Sequence, residues 1–342
     1  MEDIISLTHA TDIDGVGSAA LIRIRYGIPV ERAFFTDYKV ESIEAAGKGI
    51  RKFLRKGTML LVADLAVGSE TGKAFFDIVK AVKKDGGHVM WFDHHPWDGP
   101  YAKKIAMLCD VAIFGENRKY CGTEITKREL GIDGKFENEF SRIVHYSDFA
   151  IRPGSHSIYK TIGYYALSIA SYQMLPHEEK IAKLRHMTEV ISGKKLLDSR
   201  IKADADRFRR MNDRETERMM KDLYLGKNMA LGFAGDIQKT YACMKLIEET
   251  GKDLGIYINT RSGRGHMRSV KSDCSLLAAK FNGGGHPHAA GFSPDFKKYN
   301  FFKSRDDKKR FLADLERQAE RMGIFKGKGR GRTKKSKEAL FT

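Results

Sequence analysis

The chain has 342 residues, which exceeds one average domain and predicts two. Its 42% hydrophobic and 31% charged residues are typical of a soluble globular protein and exclude a largely disordered chain. A total of 61 Lys and Arg against 44 Asp and Glu gives a net charge of +17, which favours polyanionic partners such as nucleic acid. The longest apolar run, 59–67, is interrupted by Asp64 and is too short to cross a bilayer, so we expect no membrane segment.

The cysteines are few and scattered. Cys109, Cys121, Cys243 and Cys274 form no C-x-x-C pair, so the sequence indicates neither a disulfide framework nor a zinc-thiolate site. The N-terminus lacks the basic start and apolar stretch of a secretory signal. We therefore expect a cytoplasmic protein.

The first part of the chain alternates short apolar runs with amphipathic stretches. This alternation is typical of βαβ units, so residues 1–194 are predicted to form a doubly wound α/β domain on a mainly parallel sheet. The predicted strands are 4–7, 30–35, 59–63, 88–92 and 111–114. The predicted helices are 17–26, 42–54, 71–84 and 123–130, followed by a wholly helical region over 136–187.

A second, smaller α/β domain is predicted after a charged connecting helix. Residues 195–227 carry widely spaced apolar residues in a very charged background, which indicates a long linker helix. The second domain, 228–323, contains strand-like runs at 229–234, 256–259 and 266–270 and helices at 241–250 and 306–322. The tail, 324–342, is rich in Lys and Arg and is predicted to be disordered.

Acidic and imidazole groups follow three predicted strands of the first domain. Because the carboxyl ends of parallel strands meet at one edge of a sheet, these groups should converge there, and their carboxylates would repel one another without a cation. Oxygen and imidazole ligands without thiolates favour Mn²⁺, with Mg²⁺, Fe²⁺ and Zn²⁺ as alternatives. The residues are His9, Asp12, Asp14, Asp64, Asp93, His94 and His95.

The same turn permits a different interpretation. Gly15 and Gly17 fit the G-x-G-x-x-A pattern of a dinucleotide-binding turn, with Asp37 at the spacing of a ribose-binding acid. Asp12 and Asp14, however, stand where the pyrophosphate would dock and would repel it. We therefore interpret the two glycines as permitting a tight turn and close packing.

A second candidate site lies in the predicted C-terminal domain. Gly283, Gly284 and Gly285 precede the sequence His-Pro-His-Ala-Ala-Gly, and three glycines in a row allow backbone N–H groups to turn toward an anion. The predicted ligand is a phosphate. Arg268 is a candidate for a bidentate phosphate contact nearby.

Taken in order, these motifs resemble the DHH phosphoesterase superfamily. The matching elements are HATDIDG (9–15), VAD (62–64), DHH (93–95) and HYSD (145–148), while GGGHPHAAG (283–291) resembles the signature of the family's C-terminal DHHA1 domain. One departure is Asn282, which stands where the family often has a fourth glycine. Asn tolerates left-handed backbone geometry, so we expect little effect.

The resemblance implies a phosphoesterase with two metal ions, in a cleft between the domains that closes about the linker helix. One ion would be held by His9, Asp12 and Asp64 and the other by Asp14, Asp64, His94 and Asp148. His9 could instead be a strand-end histidine outside the site, because its spacing from Asp12 varies among branches of the family. The resemblance further implies that His95 contacts the substrate phosphate, that Asp93 orients the histidines, and that Arg268, Gly283, Gly284, Gly285 and His286 grip the substrate.

The resemblance leaves several substrates open. Seven basic residues and one glutamate lie in 326–342, so the rest of the chain still carries +11, which favours single-stranded DNA or RNA or short oligonucleotides, in the manner of RecJ-like exonucleases or nanoRNases. The alternatives are hydrolysis of 3′-phosphoadenosine 5′-phosphate or cyclic dinucleotides, and a non-catalytic nucleic-acid-binding scaffold. Replication or repair proteins, or a second copy in a homodimer, are further partners to consider.

Overall fold

The computed structural model describes residues 3–115, 119–149, 151 and 153–325. The basic segment from 326 onward, the greater part of the predicted tail, lies outside them. The chain divides into two compact units, 1–209 and 210–342, and the division falls inside a single long helix. None of the helices in the described residues is long and apolar enough to cross a membrane.

The first unit is built on a parallel sheet of five strands. The strands are β1 (Ile4–His9), β2 (Ala33–Thr36), β3 (Met59–Ala63), β4 (His88–Phe92) and β5 (Val111–Ile113). The strand order is β2-β1-β3-β4-β5, and every neighbouring pair runs in parallel, so the predicted doubly wound α/β fold is confirmed. Strands β3 and β4 are nearly continuous apolar runs with most of their side chains buried, as a sheet covered on both faces requires.

Helices cover this sheet and continue beyond it. The helices are α1 (Ile13–Tyr26), α2 (Val40–Arg51), α3 (Gly72–Lys84), α4 (Ala102–Leu108), α5 (Gly122–Glu129), α6 (Lys135–Asp148), α7 (His156–Tyr172) and α8 (His177–Ser192). Helix α4 follows a Gly-Pro turn and has one buried residue, Ile105, which explains why its short pattern was missed in the sequence. The predicted helical region over 136–187 is three helices, whose buried faces join α1 in one core.

The predicted linker is a helix, α9 (Ser199–Lys221), of 23 residues. Its apolar residues pack in two places: Ile201 belongs to the core of the first unit, and Met219 to that of the second. The exact domain bounds drawn from the sequence stay a prediction.

The second unit contains a mixed sheet of six strands. The strands are β6 (Tyr224–Leu225), β7 (Met229–Ala234), β8 (Leu254–Asn259), β9 (Gly265–Ser269), β10 (Gly284–His286) and β11 (Ala289–Phe292). Their order is β10-β11-β9-β8-β7-β6, in which β7 and β8 are parallel and the other pairs antiparallel. The helices are α10 (Lys239–Thr250), α11 (Cys274–Ala279) and α12 (Arg305–Arg321). Helix α10 covers one face of the sheet, and α11 and α12 cover the other.

Candidate metal centre

Three neighbouring strands of the first sheet end in acidic or imidazole side chains. Strand β1 ends at His9, Asp64 directly follows β3, and Asp93 directly follows β4. These strands are adjacent in the order β1-β3-β4, so their carboxyl ends form one continuous edge. Open α/β sheets bind their ligands at the carboxyl ends of the strands, which is where these side chains lie.

The turn between β1 and α1 adds two more carboxylates. Asp12 is the N-cap of α1, and its Oδ1 accepts a hydrogen bond of 3.2 Å from the backbone N–H of Gly15. A Cβ atom at Gly15 would stand 2.1 Å from the carbonyl oxygen of His9, so the turn can be this tight only with glycine. Asp14 lies in the first turn of α1 and is buried.

These side chains form two clusters that share Asp64. In the first, Nδ1 of His9 lies 2.9 Å from Oδ2 of Asp12 and 3.6 Å from Oδ2 of Asp64. In the second, Nε2 of His94 lies 3.4 Å from Oδ1 of Asp64 and 3.8 Å from Oδ2 of Asp14. The two oxygens of Asp64 therefore contact different clusters.

Asp148, at the end of α6, completes the second cluster. Its Oδ2 lies 3.8 Å from Nδ1 of His94. Ligand atoms of Asp14, His94 and Asp148 lie within 4.8 Å of one another, as do those of His9, Asp12 and Asp64. The first unit thus brings together all eight residues that the sequence singled out there.

The donor set fits metal ions better than a hydrogen-bond network. Both ring nitrogens of His94 and Oδ2 of Asp64 are buried without a hydrogen-bond partner. Buried polar atoms are nearly always paired, so such atoms require an explanation. Nε2 of His94 faces carboxylate oxygens of Asp64 and Asp14 at 3.4 and 3.8 Å. These distances exceed the about 2.7–3.2 Å of an ordinary N–H···O hydrogen bond, so a metal ion between these atoms would satisfy them better than a direct bond.

The cluster concentrates negative charge. Burial raises the pKa of Asp64 well above its ordinary value, and the neighbouring Asp14 and Asp12 carboxylates raise it further. Burial also raises the pKa of Asp148 to about 6, again with a contribution from Asp14. Burial lowers the pKa of His9, but Asp12 and Asp64 outweigh this, so its pKa is well above the usual value. A bound cation would stabilise the ionised carboxylates.

Asp93 supports the loop that carries the two histidines. Its Oδ1 accepts hydrogen bonds of 2.9 Å from the backbone N–H of His94 and from Nδ1 of His95, and its Oδ2 accepts one of 2.8 Å from Nε1 of Trp97. The carboxylate contacts the ring of His95 and only the backbone of His94. His95 is the more accessible of the two, with 37% of its side chain exposed.

Sequence reasoning missed the contribution of α5 to this site. Both oxygens of Asp14 accept backbone N–H bonds from its first turn, 2.7 Å from Gly122 and 2.6 Å from Thr123. The signal was present in the pattern Cys121-x-x-Glu124, which has the spacing of a capping box at a helix start.

The remaining predicted residues lie in the second unit. The glycine run forms a strand: Gly284 and Gly285 belong to β10, the edge strand of a hairpin with β11. Phosphate binding by this run stays a prediction. The glycines are needed for close strand contact, because a Cβ at Gly283 would stand 2.1 Å from the carbonyl oxygen of Gly291. Asn282 has φ +57°, the left-handed geometry expected of it.

Arg268 lies on β9, in backbone register with Ala289 of β11, which pairs in turn with His286 of β10. The Arg268 guanidinium donates a hydrogen bond of 2.9 Å to Oγ1 of Thr240, at the start of α10. The structure therefore places Arg268 and the glycine hairpin in neighbouring strands of one sheet.

No protein-family model and no curated protein matches the sequence. Solved structures do match the fold. RecJ exonuclease bound to manganese matches over 92% of each chain, with 13% identity and a TM-score of 0.52. The pGpG-specific phosphodiesterase PggH from Vibrio cholerae matches over 92% of this chain and 99% of its own, with 14% identity and a TM-score of 0.51.

A third match is RecJ in complex with Mn²⁺ from Thermus thermophilus, over 92% of this chain and 52% of its own, with 15% identity and a TM-score of 0.50. The chain has the DHH/DHHA1-type fold. At these identities the likeness establishes the architecture, so the DHH/DHHA1 fold predicted from the ordered motifs is confirmed.

Proposed function

We propose that the chain is a metal-dependent phosphodiesterase that hydrolyses single-stranded nucleic acid or short oligonucleotides to 5′-nucleotides. The observation that carries this proposal is the pair of His and Asp clusters joined by Asp64, with the unpaired buried nitrogens of His94 in one of them. Structures with the same fold include a RecJ exonuclease bound to manganese and a phosphodiesterase specific for pGpG.

The two clusters define two ligand sets. His9, Asp12 and Asp64 would hold one ion. Asp14, Asp64, His94 and Asp148 would hold the other, with one oxygen of Asp64 for each. Hard oxygen donors mixed with imidazole suit Mn²⁺, and Mg²⁺ is the alternative. Bound in these positions, two divalent ions supply an activated water and stabilise the negative charge of phosphoryl displacement.

The residues around the clusters have distinct tasks. Asp93 fixes the ring of His95 through Nδ1, and His95 contacts a phosphate oxygen of the substrate. Asp64 has a left-handed backbone, with φ +55°, and each of its carboxylate oxygens contacts one cluster. These contacts would hold the scissile phosphate and the ions in a fixed geometry.

The second unit would bind the substrate's phosphates through Arg268 and the glycine hairpin that contains His286. Three cations near His266 support this role. Burial, and after it the charges of Lys239, Arg268 and Arg264, lower the pKa of His266 to about 4. These three cations supply positive charge that attracts anions.

The test is a length series of single-stranded DNA and RNA, from dinucleotides to about 30 nucleotides, labelled at either end and incubated with Mn²⁺. We expect hydrolysis that EDTA abolishes, with 5′-nucleotides as products. Turnover confined to cyclic dinucleotides or 3′-phosphoadenosine 5′-phosphate would replace this substrate class with small nucleotides. Nucleic-acid binding without Mn²⁺ binding or turnover would favour the non-catalytic scaffold.

Asp64→Asn tests the shared ligand. Asn tolerates the left-handed backbone at this position, whereas Ala would add strain of about 1–2 kcal/mol. We expect the variant to fold, to lose high-affinity binding of both ions in calorimetric titration, and to lose nearly all turnover. Full turnover in this variant would contradict the assignment of Asp64 as the bridging ligand.

A further inference from the structure

Helix α5 begins against two buried carboxylates of the metal centre, those of Asp14 and Asp64. A Cβ atom at Gly122 would stand 2.8 Å from Cβ of Asp64 and 3.2 Å from Oδ2 of Asp14, so the helix can start here only without a side chain. The N–H groups of Gly122 and Thr123 donate to Asp14, and Oγ1 of Thr123 donates a bond of 2.9 Å to the Asp14 carbonyl oxygen. The position of this turn therefore determines the position of Asp14.

Glu124 fixes that turn from its other side. Its Oε2 accepts a hydrogen bond of 3.0 Å from the backbone N–H of Cys121, which completes a capping box at the start of α5. The same oxygen lies 2.8 Å from Nδ1 of His145. One carboxylate oxygen thus joins the first turn of α5 to helix α6.

His145 and Asp148 share one face of α6, because residues three positions apart on a helix are neighbours. The His145 ring also packs against Phe149, with centroids 4.6 Å apart, and the Phe149 ring lies 6.4 Å from that of His94. A shift of α6 at His145 would therefore move Asp148 and the aromatic support beside His94.

We propose that Glu124 is a positioning residue that sets the distance between Asp14 and Asp148, and with it the affinity of one of the two metal sites. This inference rests on the proposed function, since it assumes that the cluster of Asp14, His94 and Asp148 binds an ion. His9 and Asp12 are carried by β1 and the turn after it. Loss of Glu124 should therefore weaken the binding of the ion at Asp14, His94 and Asp148 much more than the binding of the other ion.

The test is calorimetric titration of the full chain with Mn²⁺, with Glu124→Ala compared with the wild type. Groups that orient metal ligands typically contribute 10- to 100-fold in affinity. We expect the variant to retain one site near wild-type affinity and to lose about tenfold or more at the other. Glu124→Gln keeps a carbonyl oxygen that can accept both bonds, so its affinities should stay within about threefold of the wild type. Glu129→Ala removes a carboxylate at the far end of the same helix and serves as the matched control.

The outcomes separate this inference from the proposed function. If the wild type binds no Mn²⁺, the proposed function fails. If the wild type binds two ions and Glu124→Ala leaves both affinities unchanged, or weakens both equally, the positioning role is refuted. A Gln variant as weak as the Ala variant would equally refute the hydrogen-bond basis. If Glu124→Ala does not fold, His145→Phe provides the test. This variant keeps the cap on Cys121 but removes the hydrogen bond to α6, so it should lower the Mn²⁺ affinity of the same single site.

Discussion

At the scale of single residues, the metal centre depends on backbone positions that carry no ligand. Asp14 is 1% exposed, and each of its oxygens accepts a backbone N–H from a helix that begins more than one hundred residues later in the chain. Charge-assisted bonds of this kind keep a buried carboxylate in one orientation. Gly122 makes them possible by allowing the helix to approach.

Gly122→Ala should therefore disrupt the site. The new Cβ would stand 2.8 Å from Cβ of Asp64, and a buried side chain on a strand end has little room to yield. We expect a loss of at least tenfold in Mn²⁺ affinity, measured by calorimetry, together with a lower melting temperature. Gly163→Ala, in α7, is the control: its Cβ meets no atom within 4 Å, so it should leave Mn²⁺ binding unchanged and stabilise slightly. Equal effects of the two substitutions would contradict the close approach at Gly122.

His266 should make the second unit sensitive to acid. It lies in β9 between Arg264 and Arg268, packs on the ring of Tyr257 in β8, and faces Lys239 of α10. Its folded-state pKa of about 4 is below the ordinary value of 6.5, so between these values the unfolded chain binds the proton more strongly. As far as His266 is concerned, the free energy of unfolding is therefore highest above about pH 6.5 and decreases as the pH falls toward 4.

The test compares the urea unfolding of the wild type and His266→Gln at pH 7.5, 5.5 and 4.5. Far-UV circular dichroism monitors the unfolding. We expect the wild type to lose more stability than the variant across this range. Lys239→Met, which removes one of the facing cations, should show an intermediate loss. Parallel pH profiles for the wild type and His266→Gln would argue against a depressed pKa at His266.

At the scale of elements, the glycine run provides an edge strand. In β10, Gly285 has φ +141°, and a Cβ there would stand 2.5 Å from the carbonyl oxygen of Ala289, whereas a Cβ at Gly284 meets no atom within 4 Å. Adjacent glycines of one strand thus have different structural requirements. The difference follows from the close pairing of β10 with β11.

Gly285→Ala should separate β10 from β11, while Gly284→Ala should be tolerated. We expect the first to lower the melting temperature by several degrees and to weaken oligonucleotide binding, and the second to keep wild-type stability. Differential scanning calorimetry and fluorescence anisotropy with a labelled single strand would measure the two effects. A destabilised Gly284→Ala beside a stable Gly285→Ala would show that the hairpin register is different.

The observed strands show which elements the sequence pattern predicted correctly. Strands β3 and β4 coincide with the predicted runs 59–63 and 88–92, because continuous apolar segments bounded by polar turns are distinctive in a parallel sheet. The predicted strand 30–35 begins too early, since residues 30–32 form a short 3-10 turn before β2. The strands β10 and β11 were missed because glycine and alanine carry little strand propensity.

At the scale of the whole molecule, the charge is divided between an acidic centre and a basic remainder. The net charge is +17, and 326–342 contribute seven basic residues and one glutamate. Each phosphate that a basic residue contacts releases counterions, so long strands gain more from this charge than dinucleotides do.

Deletion of residues 326–342 should therefore weaken binding of long single strands with little effect on dinucleotides. The dependence of log K on log salt should flatten by about 0.7 for each phosphate that the basic residues of the tail would otherwise neutralise. Anisotropy titrations at several salt concentrations would measure both quantities. An unchanged slope for a 30-nucleotide strand would exclude the tail from the binding surface.

The sequence by itself determined the α/β class, the residues that would gather at the sheet edge, and the family that their order resembles. Those features are local or periodic: apolar runs fix the strands, and polar residues directly after them share an edge in any parallel sheet. Only the tertiary structure decided that the two oxygens of Asp64 contact different clusters, that α5 holds Asp14, and that the glycines form a strand. These depend on contacts between distant segments and on backbone approaches of a few ångströms, which sequence spacing does not specify.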